Sequence, residues 1–215
     1  MPSVRFGDRV QAGRVLGEHL RQEGLGSPGG VVLGIPRGGV VTAAEVARVL
    51  GLPLDVALAR KVGAPGNREL AIGAVGPDGQ AVIDEDLARR VGATAEWLEG
   101  AVAAERAVVV DRLRRFRGDR PPLDVAGRQA IVVDDGVATG NTAAAVGRWL
   151  DRAGAGRRIL AVPVAPPSTK ERLSSSYDEF VALATPATFF AVGEFYVDFR
   201  QITDDEVREL LASPQ

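Results

Sequence analysis

"IVVDDGVATGNTAAAVGRWL", Ile131 to Leu150, runs from an apolar stretch through two adjacent aspartates and a small, hydroxyl-bearing turn into a helical pattern. Apolar strands without strict alternation, separated by helices, belong to parallel sheets covered on both faces. The turn itself is Gly136, Val137, Ala138, Thr139, Gly140, Asn141 and Thr142. Its glycines permit close backbone approach, and Thr139 and Thr142 add hydroxyls. The helix expected from about Thr142 to Ala153 opens with unpaired N–H groups and the positive end of its dipole. Together these features favour a phosphate monoester.

Two nucleotide-binding turns fail on spacing. A P-loop needs four residues between its glycines and then Lys-Ser/Thr, whereas three separate Gly136 from Gly140 and Asn141 stands where lysine belongs. The dinucleotide pattern G-x-G-x-x-G is absent from this turn and from "GIPRGG". The carboxylates of Asp134 and Asp135 would repel a phosphate they pointed at. They suit a ligand that offers them hydroxyls, such as the cis diol of a ribose 5-phosphate. Taken alone, an acidic pair at a strand end reads as a turn cap. The attached strand and loop tip it toward the sugar.

Working outward, an amphipathic helix is expected over Asp8 to Gln22, with His19, the single histidine, in a structural or surface role. "VVLGIP" (Val31 to Pro36) and "LDVALAR" (Leu54 to Arg60) read as buried strands around a helix from Val40 to Leu50. Gly76-Pro77-Asp78-Gly79 turns a β-hairpin within Leu70 to Ile83. Asp84 to Arg117 is helical in two pieces, parted near Gly92-Ala93-Thr94. Strands follow at Gln129 to Asp135, Arg157 to Ala165 and Phe180 to Thr185. Ser168 to Glu171 and Thr203 to Glu206 have capping-box spacing. The fold class is α/β: a doubly wound, mostly parallel five-stranded sheet with an added β-hairpin, a helical insertion and a small C-terminal segment. Ligands of such sheets bind beyond the carboxyl ends of the strands. Three such ends are chemically loaded: Pro36-Arg37-Gly38-Gly39, Arg60-Lys61, and Asp134-Asp135 with its turn.

Bulk properties narrow the class further. The chain has 215 residues, 46% hydrophobic and 25% charged, with a formal net charge of −2. No global basic field argues for nucleic acid, and "RLRRFR" (Arg112 to Arg117), one aromatic in one basic run, is thin evidence for RNA. The long charged segment Thr94 to Arg117 reads as a solvated amphipathic helix, with a cover over the preceding hairpin region or a dimer contact as alternatives. No run approaches the roughly 20 apolar residues of a membrane span, and "MPSVRFGDRVQAG" carries charges where a signal peptide needs its apolar core. The absence of cysteine removes disulfides and thiolate metal sites and fits a reducing cytoplasm. One domain over 1–215 is expected, with its core at about 31–185, the hairpin and helical insertion at about 62–120 and a C-terminal segment at about 186–201.

"IVVDDGVATGNT" resembles the phosphoribosyl pyrophosphate (PRPP) signature of type I phosphoribosyltransferases. "GIPRGGVVTAAEVA", "ARKVGAPGNRELAIGAVG" and "AVGEFYVDFRQITDDEV" resemble a little-characterised bacterial branch of that family. The resemblance implies transfer of the 5-phosphoribosyl group from PRPP to a nitrogen nucleophile, a nucleobase by analogy, with release of pyrophosphate. Asp134, Asp135, Lys61 and Arg37 then carry catalysis, and residues 136 to 142 hold the 5-phosphate. Pyrophosphate would sit on Pro36, Arg37, Gly38, Gly39, Arg60 and Lys61. Mg²⁺ would enter with PRPP, without a protein cage. The hairpin and insertion at about 62–120 would be the flap region, whose glycine-rich "VGAPGNRELAIGAVGPDG" would exclude water on closure. The segment at about 186–201 would be the hood, where Phe190, Tyr196, Asp198 and Phe199 bind the acceptor or form a satellite hydrophobic cluster. Relatives are commonly homodimers. A non-catalytic PRPP or nucleotide sensor is the competing reading. A hydrolase is weaker, since the single histidine sits beside no evident serine partner and cysteine is absent.

Overall fold

A computed structural model describes residues 5–213; the first four and last two residues of the expected 1–215 domain lie outside the described residues. The chain order is α1 (Arg9–Gln22), β1 (Val31–Gly34), α2 (Gly38–Leu50), β2 (Leu54–Val56), β3 (Arg60–Ala64), β4 (Asn67–Val75) and β5 (Ala81–Ile83). There follow α3 (Glu85–Arg90), α4 (Ala95–Arg117), β6 (Gln129–Val133), α5 (Asn141–Arg152), β7 (Arg157–Val164), α6 (Thr169–Leu173), β8 (Glu179–Ala184) and α7 (Asp204–Ala212). Among the described residues no helix is long and apolar enough to cross a membrane.

The main sheet has the order β2-β1-β6-β7-β8, and its neighbouring strands pair in parallel. Both faces of β6 are buried, and its residues alternate between two cores. Ile131 and Val133 pack with Leu16, Leu20, Val46 and Phe116, whereas Ala130 and Val132 pack with Val146, Trp149 and Leu150. That two-sided burial is why the strand is an uninterrupted apolar run. Strand order reverses between β1 and β6, which makes their carboxyl ends the crevice where ligands of doubly wound sheets bind. The register pairs Gly34 with Val133, and the Ile35 N–H donates to the Val133 carbonyl at 2.9 Å. Residues 35–39 and 134–142 therefore leave the sheet side by side.

Small residues set the α1–α2 contact. A Cβ on Gly13 would lie 2.5 Å from the Thr42 carbonyl, and one on Gly17 2.9 Å from Val49 Cβ. Glycine at these two positions, four apart on one helix face, lets α1 lie directly on α2. The capping box at Thr203 and Glu206 forms as its spacing predicts.

Three expectations need correction. Leu54 to Arg60 is not one core strand: the parallel strand stops at Val56, and Arg60 opens a separate antiparallel sheet, β3-β4-β5. Residues 54–59 are all buried, so apolar character ran straight through the junction between the sheets. The hairpin at Gly76 to Gly79 is real, but a third strand joins it through the turn at Pro65 and Gly66. Ser168 forms no capping box; its backbone is helical and its side chain caps nothing, because α6 spans only five residues.

Helix α4 is more than a solvated face. Val109, Leu113 and Phe116 are buried, and Phe116 lies in the main core. Its Glu105 carboxylate accepts from Arg60 Nε at 2.8 Å, and Arg106 Nε donates to the Gly79 carbonyl at 2.6 Å. The insertion is fastened to the three-stranded sheet that carries the flap sequence.

Candidate active site

The two glycines after β1 exist because the acidic pair is pressed against them. A Cβ on Gly39 would fall 2.7 Å from Asp134 Oδ1, 2.8 Å from Asp134 Cα and 2.9 Å from the Val133 carbonyl. A Cβ on Gly38 would collide with Asp135 Oδ2 and come 2.7 Å from Arg9 Nε. The turn Pro36 to Gly39, whose Pro36–Arg37 peptide is cis, thus forms one surface with Asp134 and Asp135. Because backbone atoms of β6 block the Gly39 methyl, Gly39→Ala should cost about 1–3 kcal/mol. Chemical denaturation would check this, and unchanged stability would mean the turn and strand end are not in contact.

The loop beyond the pair meets the requirements of an anion site. Gly140, at φ +70°, is the N-cap of α5, and no side chain caps that terminus. The first turn of α5 contains no acidic residue, and Thr139, Asn141 and Thr142 are exposed. The loop is held from behind: the Val137 N–H donates to the Val164 carbonyl at 3.0 Å, and Arg172 Nη2 to the Ala138 carbonyl at 3.0 Å. A Cβ on Gly136 would stand 2.5 Å from Val192 Cγ1, so any larger residue there would have to displace the Val192 side chain.

A cavity of about 890 Å³ opens on this loop, lined by Thr139, Asn141 and Thr142 on one side and by Arg60, Lys61 and Trp97 among others across from them. The structure therefore brings Arg60-Lys61 and the phosphate-type loop to one cavity, whereas Gly38 and Gly39 pack on the acidic pair and Arg37 reaches Asp204; neither that turn nor Asp134 and Asp135 line the cavity itself. These two groups meet at the segment 134–142. The cations already face carboxylates: Lys61 Nζ lies 2.9 Å from Glu69 Oε2, and Arg37 Nη1 lies 3.6 Å from Asp204 Oδ1. Among the described residues no group of three or more His, Asp or Glu side chains converges as a metal cage.

The acidic pair is asymmetric. Asp134 Oδ1 accepts the Asp135 N–H at 2.9 Å. Burial, and then the neighbouring Asp135 carboxylate, push the Asp134 acid well above its ordinary value of 3.8, against the opposing charge of Arg9. A folded acid with a raised pKa holds its proton more tightly than the unfolded chain does. Stability therefore falls as pH rises from about 4 through the folded value. Asp134→Asn removes this penalty and keeps an oxygen for the Asp135 N–H. We expect it to melt higher than wild type near pH 8, with the advantage gone by about pH 4. A variant melting below wild type at pH 8 would count against a strained, buried acid.

The C-terminal aromatic segment is divided. Tyr196 is only 2% exposed, and its hydroxyl donates to the Asp135 carbonyl at 2.5 Å. Its ring lies 5.1 Å from that of Phe199, which in turn carries the Arg9 guanidinium 3.8 Å above it. Phe190 is 80% exposed. The Asp198 carboxylate accepts the Arg200 N–H at 3.1 Å. Tyr196 and Phe199 thus brace the acidic pair from behind, while Trp97, from the insertion, faces the cavity.

Sequence reasoning overlooked Arg9, whose Nε lies 2.6 Å from Asp135 Oδ2. One signal was available: Arg9 is in phase with the buried positions Ala12, Gly13, Leu16 and Leu20, a cation on the apolar stripe of its helix.

Comparison with known proteins bears on the family and the fold. The family described as "Phosphoribosyl transferase domain" matches residues 11–200. Two Mycobacterium tuberculosis proteins, named "Putative phosphoribosyl transferase" MT0597 (strain CDC 1551 / Oshkosh) and Rv0571c (strain ATCC 25618 / H37Rv), are each 45% identical over 202 residues. Those alignments take in 94% of this chain and 45% of each relative, so the chain spans about half the length of the curated relatives it matches. The crystal structure of TT1426 from Thermus thermophilus superposes with a TM-score of 0.88 at 47% identity, covering 96% of this chain and 97% of that one.

Proposed function

The chain belongs to the phosphoribosyl transferase domain family, and from that premise we propose that it moves the 5-phosphoribosyl group of PRPP to a nitrogen nucleophile, a nucleobase in the simplest case, releasing pyrophosphate. One observation carries the reading: the Pro36-Arg37-Gly38-Gly39 turn is packed on Asp134-Asp135, whose own strand runs on into an uncapped helix N-terminus facing a large cavity. Both ends of a sugar that bears one phosphate at C5 and two at C1 then have partners on adjoining segments of the chain.

In this reading the loop 136–142 binds the 5-phosphate through the backbone N–H groups of residues 138–142 and the hydroxyls of Thr139 and Thr142, the Val137 N–H being spent on the Val164 carbonyl. Asp134 and Asp135 take the ribose 2- and 3-hydroxyls. Arg37, with its forked donors, and Lys61 take the pyrophosphate. Magnesium arriving with PRPP would supply further charge neutralisation at the pyrophosphate, beside Arg37 and Lys61. The C1–O bond to pyrophosphate breaks as the acceptor nitrogen attacks C1, and positive character builds on the ribose, as in glycosyl transfer generally. The chain's contribution is to anchor both ends of the donor and to place fixed charges where charge develops. No covalent intermediate is required. The acceptor enters from the cavity, where Trp97 offers an aromatic face. A reaction on a phosphorylated metabolic sugar places the work in the cytoplasm, within one phosphoribosyltransferase unit over 1–215 that pairs as a homodimer.

A non-catalytic PRPP sensor has one observation in its favour: Arg37, Arg60 and Lys61 all face carboxylates of the chain itself. Pyrophosphate release decides between them. The full chain, given PRPP, Mg²⁺ and a panel of purine and pyrimidine bases, should release pyrophosphate with at least one base. Tight PRPP binding with no release for any base supports the sensor. No PRPP binding at all overturns both.

A further inference from the structure

We propose that Arg9, at the start of α1, is a positioning residue of the ribose site: it fixes one oxygen of Asp135 so that the other is aimed at the ligand. This inference rests on the PRPP reading above.

The contacts around Arg9 are specific. It is 8% exposed. Its Nε donates to Asp135 Oδ2 at 2.6 Å, its Nη1 donates to the Arg200 carbonyl at 2.9 Å, and its Cζ sits 3.8 Å over the Phe199 ring. These three contacts approach from different directions, so the planar guanidinium has little freedom to rotate. Tyr196 fixes the backbone of Asp135 independently, through its carbonyl. The acidic residue is therefore held at both side chain and main chain by groups that pack on each other through Phe199.

The frame beneath Arg9 is firmly tied. Phe6 N–H donates to the Phe195 carbonyl at 2.8 Å, Val197 N–H to the Phe6 carbonyl at 2.8 Å, and Asp198 N–H to the Gly7 carbonyl at 2.9 Å. Residues 6–7 and the segment 195–200 are thus stitched together immediately before α1. Asp8 caps the helix by accepting the Gln11 N–H at 2.7 Å, and Gly13 and Gly17 seat it on α2. Arg9 reaches the site on a rigid base rather than on a free arm.

The consequence is directional. With Oδ2 committed to Arg9, the ligand hydroxyl would fall to Asp135 Oδ1, in competition with the neighbouring Asp134 carboxyl. The guanidinium also stands within 2.7 Å of where a Gly38 Cβ would be, so it underlies the turn that faces pyrophosphate. Without Arg9, the Asp135 carboxylate would rotate freely beside Asp134, and the turn would lose its floor. A merely structural ion pair would move stability alone. A positioning residue must also change the recognition of the ribose.

The test compares two ligands of the full chain by calorimetry, ribose 5-phosphate and inorganic phosphate, well below the melting temperature. Arg9→Ala should weaken ribose 5-phosphate at least tenfold and leave inorganic phosphate within about twofold, because the phosphate contacts lie on residues 136–142. Arg9→Lys, which restores the charge without the fork, should recover part of the loss. In an Asp135→Asn background, Arg9→Ala should add less than threefold. Equal weakening of both ligands, or a lowered melting temperature with unchanged ribose 5-phosphate affinity, overturns the assignment. If Arg9→Ala does not fold, Arg9→Lys decides alone: several-fold weaker ribose 5-phosphate with intact phosphate binding supports the proposal, and wild-type affinity for both refutes it. A wild-type chain that binds neither PRPP nor ribose 5-phosphate removes the functional reading itself. Wild-type binding with insensitive variants removes only the role of Arg9.

Discussion

Asp135→Asn and Thr139→Val should each reduce PRPP-dependent pyrophosphate release by roughly 10²–10³, the usual loss when one preorganised contact to a developing charge or its anchor is removed. The two variants act at opposite ends of the same sugar. Thr139 is exposed and lines the cavity, so replacing its hydroxyl by a methyl leaves the core untouched and the melting temperature unchanged. Its effect should therefore fall on turnover without a folding component. Asp135 is different: its carboxylate pairs with Arg9 and its carbonyl accepts from Tyr196. The asparagine variant should lose stability as well as rate, because a buried guanidinium is left with a neutral partner. Steady-state pyrophosphate release, with melting curves recorded in parallel, separates the two. Near-normal turnover in both would remove the site.

The largest effect on stability should come from Asp55→Ala, a residue remote from any reacting atom. Asp55 is buried on β2 and accepts from Arg117 Nε at 2.8 and 3.1 Å, from the Leu123 N–H at 3.0 Å and from the Val56 N–H at 2.7 Å. Arg117 Nη2 also donates to the Val56 carbonyl at 2.9 Å. This single carboxylate ties the end of α4, and the chain returning to β6, to the edge of the main sheet. Removing it leaves a buried arginine unpaired, at a cost of about 3–5 kcal/mol, or on the order of 10 °C in melting temperature. Replacing both partners by leucine should be milder, since the uncompensated charge then disappears. Because α4 carries Trp97 and Glu105 into the cavity wall, Asp55→Ala should also weaken acceptor use at temperatures where the chain is still folded. Thermal melts of the single and double variants test the ordering.

The legible parts of this molecule are those in which local chemistry and burial agree. The segment from Ile131 to Leu150 folds as its residues dictate: an apolar strand covered on both faces, an acidic pair at its end, a glycine in the left-handed region and an uncapped helix. The Gly76 to Gly79 turn and the Thr203 cap are equally local. What hydrophobicity could not mark is the change of partner inside a continuous buried run. Leu54 to Val56 and Arg60 to Ala64 sit in different sheets, yet the intervening Ala57-Leu58-Ala59 is buried throughout. Contacts between distant residues were invisible for the same reason. Arg9 and Asp135 are paired from distant parts of the chain, and Asp55 with Arg117 across a whole insertion. The aromatic segment near the C-terminus was recognisable as a cluster. Its packing beneath Asp135 depends on Tyr196 reaching a carbonyl, which no pattern of residue types encodes.

The most direct test is a crystal structure of the full chain with PRPP and Mg²⁺. The 5-phosphate should accept hydrogen bonds of about 2.7–3.2 Å from the backbone N–H groups of residues 138–142, with the ribose hydroxyls on Asp134 and Asp135. A phosphate seated elsewhere, or a ribose turned away from both carboxylates, would contradict the account.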